Sequence, residues 1–324
     1  MIFPQIFVAP GAPLCYYSSM NKIRVGVIGT GYLGSIHAKL YKEIADCQLV
    51  AICDTDTSRL QDVSSKLGIP GYLDYKELFQ KVDAVSIVVP TRLHYKIAAE
   101  FIKNKIPVLV EKPFTSTLKE ADSLIKLAQK NNVILQVGHV ERFNSAFAAT
   151  KELIQDPKFI ECHRLSSFPN RSLDIGVVLD LMIHDIDIIL GLVNSPIKRV
   201  EAVGVEVLTQ FEDIANARVT FKNGCVCNLT ASRISDESLR KIRIFLKNAY
   251  ISLDYKNEEA FIYKKTSAGI TKDKLPIEKE QPLKKELASF IDCLANKKCP
   301  VVSGEQARQA LALALLIRKK ICKI

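Results

Sequence analysis

The stretch from Ile23 to Asp54, IRVGVIGTGYLGSIHAKLYKEIADCQLVAICD, most limits what this chain can fold into. An apolar run from Ile23 to Ile28, interrupted by Arg24 and Gly26, suits a strand buried on both sheet faces. Gly29, Gly31 and Gly34 follow in the spacing GxGxxG. The first permits a sharp turn, the second lets backbone approach a pyrophosphate, and the third lets the next helix pack close to the strand. That helix begins near Tyr32, so the unpaired N–H groups of its first turn face the phosphate position, and Thr30, Tyr32 and Leu33 belong to the same cofactor-binding loop. A second apolar run, Leu49 to Cys53, delivers Asp54 twenty residues beyond Gly34. A carboxylate there can bond both hydroxyls of an adenosine ribose and repels a phosphate on it, which predicts a dinucleotide site favouring NAD over NADP. Two alternatives stay open on these residues. Asp56 could cap the next helix while Asp54 merely ends the strand, and Arg59 with Thr55 and Ser58 could accommodate a ribose phosphate, keeping NADP possible.

A chain of 324 residues suggests two domains, each large enough for its own core. No apolar run reaches the roughly eighteen residues that a membrane helix needs. The nine cysteines are scattered without CxxC pairs and read as reduced structural thiols, the pattern of a cytoplasmic chain. A net charge of +10 raises the question of nucleic acid, but the basic residues form no block or aromatic platform, and anionic small-molecule ligands explain them as well. Residues 1–19 are apolar, broken by three prolines and without Lys or Arg, so neither a secretory signal nor an anchor fits. The expectation is a start at Met20 or a disordered arm, followed by a nucleotide-binding domain over 20–140 and a second domain over 141–324.

After Asp54 the pattern alternates. Helices are expected at Thr57 to Leu67, around Tyr75 to Lys81, and at Leu93 to Asn104 and Leu118 to Asn131, with strands at Gly71 to Leu73, Val85 to Val89, Val108 to Val110 and Val133 to Val137. This predicts a doubly wound parallel α/β sheet, whose strand order reverses between the first and fourth strands and places ligands there. Beyond Val137 come helices at Phe143 to Ile154 and Val177 to Leu192, and a strand at Phe159 to Phe168. Six more strands follow, from Val200 to Leu208 through Ala260 to Tyr263, with a tight turn at Lys222 to Gly224. These predict an α+β second domain with a mostly antiparallel sheet, closed by helices at Leu283 to Ala295 and Glu305 to Ile321.

Two groups of residues could carry chemistry. Past the fourth strand, Pro90 and Thr91 should lie beside the cofactor, with His94 placed to cap or shield it, although Thr91 could equally cap its helix. Past the fifth strand stands Glu111-Lys112-Pro113. A lysine at a buried strand end needs a role or a partner, and its ammonium could stabilise a developing alkoxide; a plain surface pair with Glu111 is the alternative. The second group is GVVLDLMIHDID, Gly176 to Asp187. With helical spacing, Asp180, His184 and Asp187 share one face of an apolar helix, where a carboxylate one turn away would orient the imidazole and hold its pKa up.

Together these fragments, with VGHVERFN (Val137 to Asn144) and the terminal PVVSGEQARQALALA, resemble the glucose-fructose oxidoreductase / inositol dehydrogenase / rhizopine catabolism (Gfo/Idh/MocA) family over Met20 to the end. The resemblance implies a Rossmann domain followed by an open-sheet domain that builds dimers or tetramers. It also implies hydride transfer between a nicotinamide cofactor and a carbinol of a sugar, cyclitol or sugar nucleotide. By position, Glu111 and Lys112 would lie at the cofactor, Lys112 would polarise the reacting hydroxyl, Asp180 would position substrate, and His184 would accept the proton. His139 and Arg142 would lie near the substrate. Only Gly176 precedes the Asp and His helix where relatives carry paired glycines, so the loop with Asn170 and Arg171 is poorly fixed by analogy. NLTASRIS, Asn228 to Ser235, is similar to relatives acting on UDP-N-acetyl-hexosamines, where Arg171 or Arg233 could meet a diphosphate or simply lie at the surface. The rival readings are a cyclitol dehydrogenase and a non-catalytic NAD-sensing regulator.

Overall fold

The computed structural model describes residues 22–168, 175–267 and 269–321, so the expectations for residues 1–19 and for Arg171 lie outside the described residues. The chain opens with β1 (Ile23–Ile28), α1 (Tyr32–Glu43), β2 (Cys47–Cys53), α2 (Thr57–Leu67) and β3 (Gly71–Tyr72). It continues through β4 (Ala84–Ile87), α3 (Thr91–Lys103), β5 (Val108–Glu111), α4 (Leu118–Asn131) and β6 (Leu135–Gly138). The six strands form one parallel sheet in the order β3-β2-β1-β4-β5-β6. The order reverses between β1 and β4, which opens a crevice at their carboxyl ends. Local signals set several ends. Asp56 accepts the N–H of Arg59 at the start of α2, Gly68 ends it in the left-handed region at φ 63°, and a Thr117–Glu120 capping box starts α4. The helix expected around Tyr75 to Lys81 is only a 3₁₀ turn, Tyr75–Leu78, held by Asp74 and by packing of Tyr75 and Phe79 on Phe101.

Past β6, a 3₁₀ turn (Val140–Phe143) leads to α5 (Ser145–Lys151) and β7 (Phe159–Leu165). A π-helical turn (Val178–Met182) runs into α6 (Ile183–Leu192) where an uninterrupted α-helix was expected. Then come β8 (Ile197–Val205), β9 (Ile214–Phe221), β10 (Val226–Ser232), β11 (Leu239–Phe245), β12 (Ala249–Asp254), β13 (Glu259–Thr266) and β14 (Gly269–Lys274). Their order is β14-β13-β12-β11-β7-β10-β9-β8, antiparallel throughout except for β7 beside β10. The strand β14 was not expected; all six of its residues are exposed, so no apolar alternation announces it. The π turn, α6 and the last helix pack on one face of this sheet. A ladder of Phe159, Phe245, Tyr250 and Tyr263 runs across four strands and remains partly exposed.

The two closing helices, α7 (Pro282–Asn296) and α8 (Gly304–Ile321), return toward the first domain. Leu287, Phe290 and Ile291 of α7 share a core with Val25, Ala38, Tyr41 and Leu49, and Ser303 bridges to Gln136 of β6. The unit expected over 141–324 thus includes a helix that completes the core of the nucleotide-binding domain. No described helix is long and apolar enough to cross a membrane.

Candidate active site

The glycine loop has the shape of a phosphate cradle. Gly29 sits at φ +93° with its missing Cβ only 2.1 Å from the Val88 carbonyl oxygen, and a Cβ on Gly34 would lie 1.8 Å from the Gly29 oxygen. Neither position admits a side chain, so α1 approaches the loop closely. At Gly31, by contrast, a Cβ would meet only an Arg59 nitrogen at 4.0 Å, and no side chain caps α1. The open N-terminus is what a pyrophosphate requires. A cleft of about 480 Å³ adjoins it, lined by Thr30, Gly31, Tyr32, Lys39, Arg59 and Lys66 among others. Tyr32 is exposed there, and the neighbouring Leu33 is half-buried.

Asp54 stands at the end of β2 beside this loop. One carboxylate oxygen accepts the N–H and hydroxyl of Thr30 at 2.7 and 3.0 Å, and the other accepts the N–H of Asp56 at 3.0 Å. Burial alone would raise its pKa, but these bonds and the Arg59 guanidinium, 3.7 Å away, hold it below the usual carboxylate range. Asp56 does cap α2, yet Asp54 does more than end a strand, because it fastens the phosphate loop to β2. The residues present therefore fit a dinucleotide.

At the other end of the crevice, Lys112 follows β5. Its ammonium donates to the Asp180 carbonyl at 2.7 Å and to the Asp180 carboxylate at 2.8 Å. Both side chains are mostly buried, at 17% and 16% exposure. A π turn replaces the regular i to i+4 pattern at Asp180, and its carbonyl meets the ammonium from outside the helix. With two donors used, the third N–H of Lys112 remains for a substrate oxygen. The surface pair with Glu111 does not form. Glu111 turns inward, with one carboxylate oxygen 3.2 Å from His37 and the other accepting the N–H of Lys112 at 3.1 Å, so its carboxylate is not presented to the cofactor as expected.

His184, on the first turn of α6, is partly exposed, with Nδ1 buried and lacking a hydrogen-bond partner. Burial, and then the charges of Lys112, Arg164, His139 and Arg240, push its pKa well below the ordinary histidine value. This corrects the expectation that neighbouring acids hold it up. Asp180 is committed to Lys112, and Asp187 to Arg142. The π turn shifts Asp180 relative to His184 and Asp187 of α6, and the expected stripe is split between separate partners.

Other expected site residues prove structural. Arg142 clasps Asp187 at 2.5 and 2.9 Å and its main-chain oxygen at 3.1 Å, packed so tightly on α6 that a Cβ at Gly191 would touch it. His139 is 1% exposed, 4.0 Å from the same carboxylate. The buried carboxylate of Asp187 takes its cationic partner from Arg142, while burial lowers the pKa of His139 beside it. His94 does not shield the cofactor either. Its Nδ1 faces the carbonyls of Pro113 and Phe114 at 3.0 and 3.3 Å and its Nε2 that of Val89 at 2.8 Å, clipping the loops after β4 and β5 together. Pro90 is exposed and occupies the N-cap of α3, with Thr91 as the first helical residue rather than the cap, half-buried at the crevice. Arg233 is buried on Asp213, the Ile175 carbonyl and Thr209, so it braces the loop before the π turn instead of meeting a diphosphate. Gly176 is required there, since a Cβ would lie 2.1 Å from the Glu212 carboxylate.

Sequence reasoning missed the buried group Arg164, Asp185 and Glu141, where the guanidinium bonds both acids at 2.7 to 3.0 Å beneath α6. It also missed His37 and the fully buried Glu286. Their pairings span elements far apart in the chain, and no local spacing signals them.

Comparison with known proteins matches this geometry. The profile described as "Oxidoreductase family, NAD-binding Rossmann fold" covers residues 23–139, and the GFO/IDH/MocA C-terminal domain covers residues 137–252. UDP-N-acetylglucosamine 3-dehydrogenase of Acidithiobacillus ferrooxidans is 36% identical over 306 residues, spanning 92% of this chain and 97% of that protein. A solved structure of that dehydrogenase superposes with a TM-score of 0.89, covering 93% of this chain and 98% of the other. Myo-inositol 2-dehydrogenase of Thermotoga maritima is 30% identical over 322 residues, covering 92% and 96%. Levoglucosan dehydrogenase in complex with NADH and levoglucosan shares the fold at a TM-score of 0.85 and 18% identity, covering 93% of this chain and 98% of the other. With both domains matched in order and a dinucleotide cradle in place, this chain belongs to the Gfo/Idh/MocA family of NAD-binding oxidoreductases.

Proposed function

We propose that this enzyme oxidises a secondary hydroxyl of a UDP-N-acetyl-hexosamine with NAD. The observation that carries the mechanism is the Lys112 ammonium fixed on Asp180 at 2.7 and 2.8 Å, with His184 pressed toward its neutral form by burial and then by that same ammonium. Bound NAD supplies the acceptor for the hydride leaving the carbinol carbon. Lys112 donates its free N–H to the reacting oxygen and favours the charge that develops there as the O–H proton departs. His184 takes that proton; its lowered pKa keeps it unprotonated and ready at neutral pH. Asp180 positions Lys112, and its carboxylate is shared between that role and the substrate.

The sugar-nucleotide choice is supported by the 36% identity to a UDP-N-acetylglucosamine 3-dehydrogenase, against 30% to an inositol dehydrogenase. Arg171 is assigned to the substrate diphosphate on the sequence resemblance alone, as a guanidinium suited to bidentate pairing with phosphate oxygens. We extend the proposal to a cytoplasmic homodimer or homotetramer built on the partly exposed aromatic ladder of the second sheet. NADH formation with UDP-N-acetyl-hexosamines, free hexoses and inositols tests the substrate. Turnover confined to the UDP sugars is expected; turnover of inositol alone overturns the choice.

A further inference from the structure

We propose that His37 is a positioning residue for Lys112, acting through the buried carboxylate of Glu111. The helix that receives the cofactor phosphates and the ammonium that meets the substrate then belong to one rigid unit. The proposal rests on Lys112 as the reacting group.

The connection is short and continuous. α1 begins at the glycine loop and turns His37, fully buried, toward β5. Its Nε2 lies 3.2 Å from one oxygen of Glu111, and the other oxygen of Glu111 accepts the main-chain N–H of Lys112 at 3.1 Å. The imidazole approach is a close polar contact, not an aligned hydrogen bond, so it acts through proximity and burial. Space for it is made on the neighbouring strand. Gly138 of β6 pairs with Glu111, and a Cβ there would lie 2.8 Å from the oxygen that faces His37. Any side chain at 138 would push the carboxylate off the imidazole. Beyond Lys112 the chain of contacts ends on Asp180, so a shift of α1 is passed to the reacting ammonium.

The electrostatics agree with this geometry. Burial would raise the Glu111 pKa, but His37 and then Lys112 hold it low, so the carboxylate stays charged. Lys112 on the same loop, Glu286 of α7, His94 of α3, Tyr41 of α1 and His139 after β6 also feel this charge, with Asp187 behind Glu286. Without the His37 contact, one of the interactions that hold the Glu111 carboxylate low is gone, and Glu111 draws on Lys112 more strongly.

The test reads Lys112 directly in the full chain. Its rate of acetylation by acetic anhydride is followed against pH by mass spectrometry, in wild type, His37→Leu and the double variant His37→Leu/Glu111→Gln. The double variant keeps a carbonyl acceptor for the Lys112 N–H but removes the charge. In His37→Leu the labelling midpoint of Lys112 should move up by about half a pH unit or more, with a fall of about tenfold in turnover. In the double variant the midpoint should return to the wild-type position. Should the leucine variant fail to fold, His37→Gln, a neutral donor of similar size, should move the midpoint the same way. A midpoint unchanged in a folded His37 variant overturns the proposal. Because labelling needs no substrate, a chain that turns over no UDP sugar but shows the shift would refute the substrate reading while sustaining this one.

Discussion

Replacing Glu286 with glutamine should stabilise the protein at neutral pH and leave it unchanged in acid. Glu286 lies on α7 where that helix covers the first domain, is 0% exposed, and has neither carboxylate oxygen hydrogen-bonded. Burial, then the carboxylates of Glu111 and Asp187, push its pKa well above the ordinary value of 4.5. A raised folded-state pKa means that the acid's stability is fully present below 4.5 and is lost as pH rises toward the folded value. The loss is about 1.4 kcal/mol for each pH unit between 4.5 and the folded value. Glutamine keeps the shape and has no ionisation to lose over this range. At about 2.1 cal/mol/K per residue, the unfolding entropy of a chain this long converts each such loss of about 1.4 kcal/mol to roughly 2 °C in Tm. Differential scanning calorimetry of both proteins at pH 7.5 and 4.5 reads it: a higher Tm for Glu286→Gln at the first and equal values at the second. A variant less stable at both pH values would refute the reasoning, because Glu286 would then be a charged, paired group.

Gly34→Ala should weaken NADH binding at least about tenfold, since its Cβ would lie 1.8 Å from the Gly29 oxygen and force the phosphate loop open. Titration by NADH fluorescence checks this, and unchanged affinity would contradict the loop assignment. In the pH profile of kcat/KM, the acidic limb should fall well below the ordinary histidine value of 6.5, because burial and Lys112 keep His184 neutral. That limb should vanish in His184→Asn along with about 10²- to 10⁴-fold of the rate; a limb that survives the substitution removes His184 from proton transfer.

The architecture was legible where a local device sets it. The helices Thr57–Leu67 and Leu118–Asn131 match their expected ends because Asp56, Gly68, Thr117 and Glu120 mark them in the sequence. The parallel sheet and its switch point followed from apolar runs that are buried on both faces. Edge strand β14 was not legible, since a solvated strand carries no apolar pattern. At the site, Lys112, Asp180 and His184 were singled out by residue type and by family resemblance. Their electrostatics were misread, because helical spacing assumes a regular α-helix and the π turn at Val178–Met182 breaks it. Asp187 serves Arg142, and the bond from Lys112 to Asp180, across 68 positions, carries no sequence signal at all.

The central claim is that one ammonium, held by Asp180 at the crevice, activates the substrate hydroxyl. Lys112→Met removes the donor while keeping a side chain of similar length. Steady-state turnover of a UDP-N-acetyl-hexosamine, measured beside the NADH dissociation constant, should fall by about 10²- to 10³-fold with cofactor affinity nearly unchanged. Turnover retained within a few fold of wild type would show that the alcohol is activated by some other group.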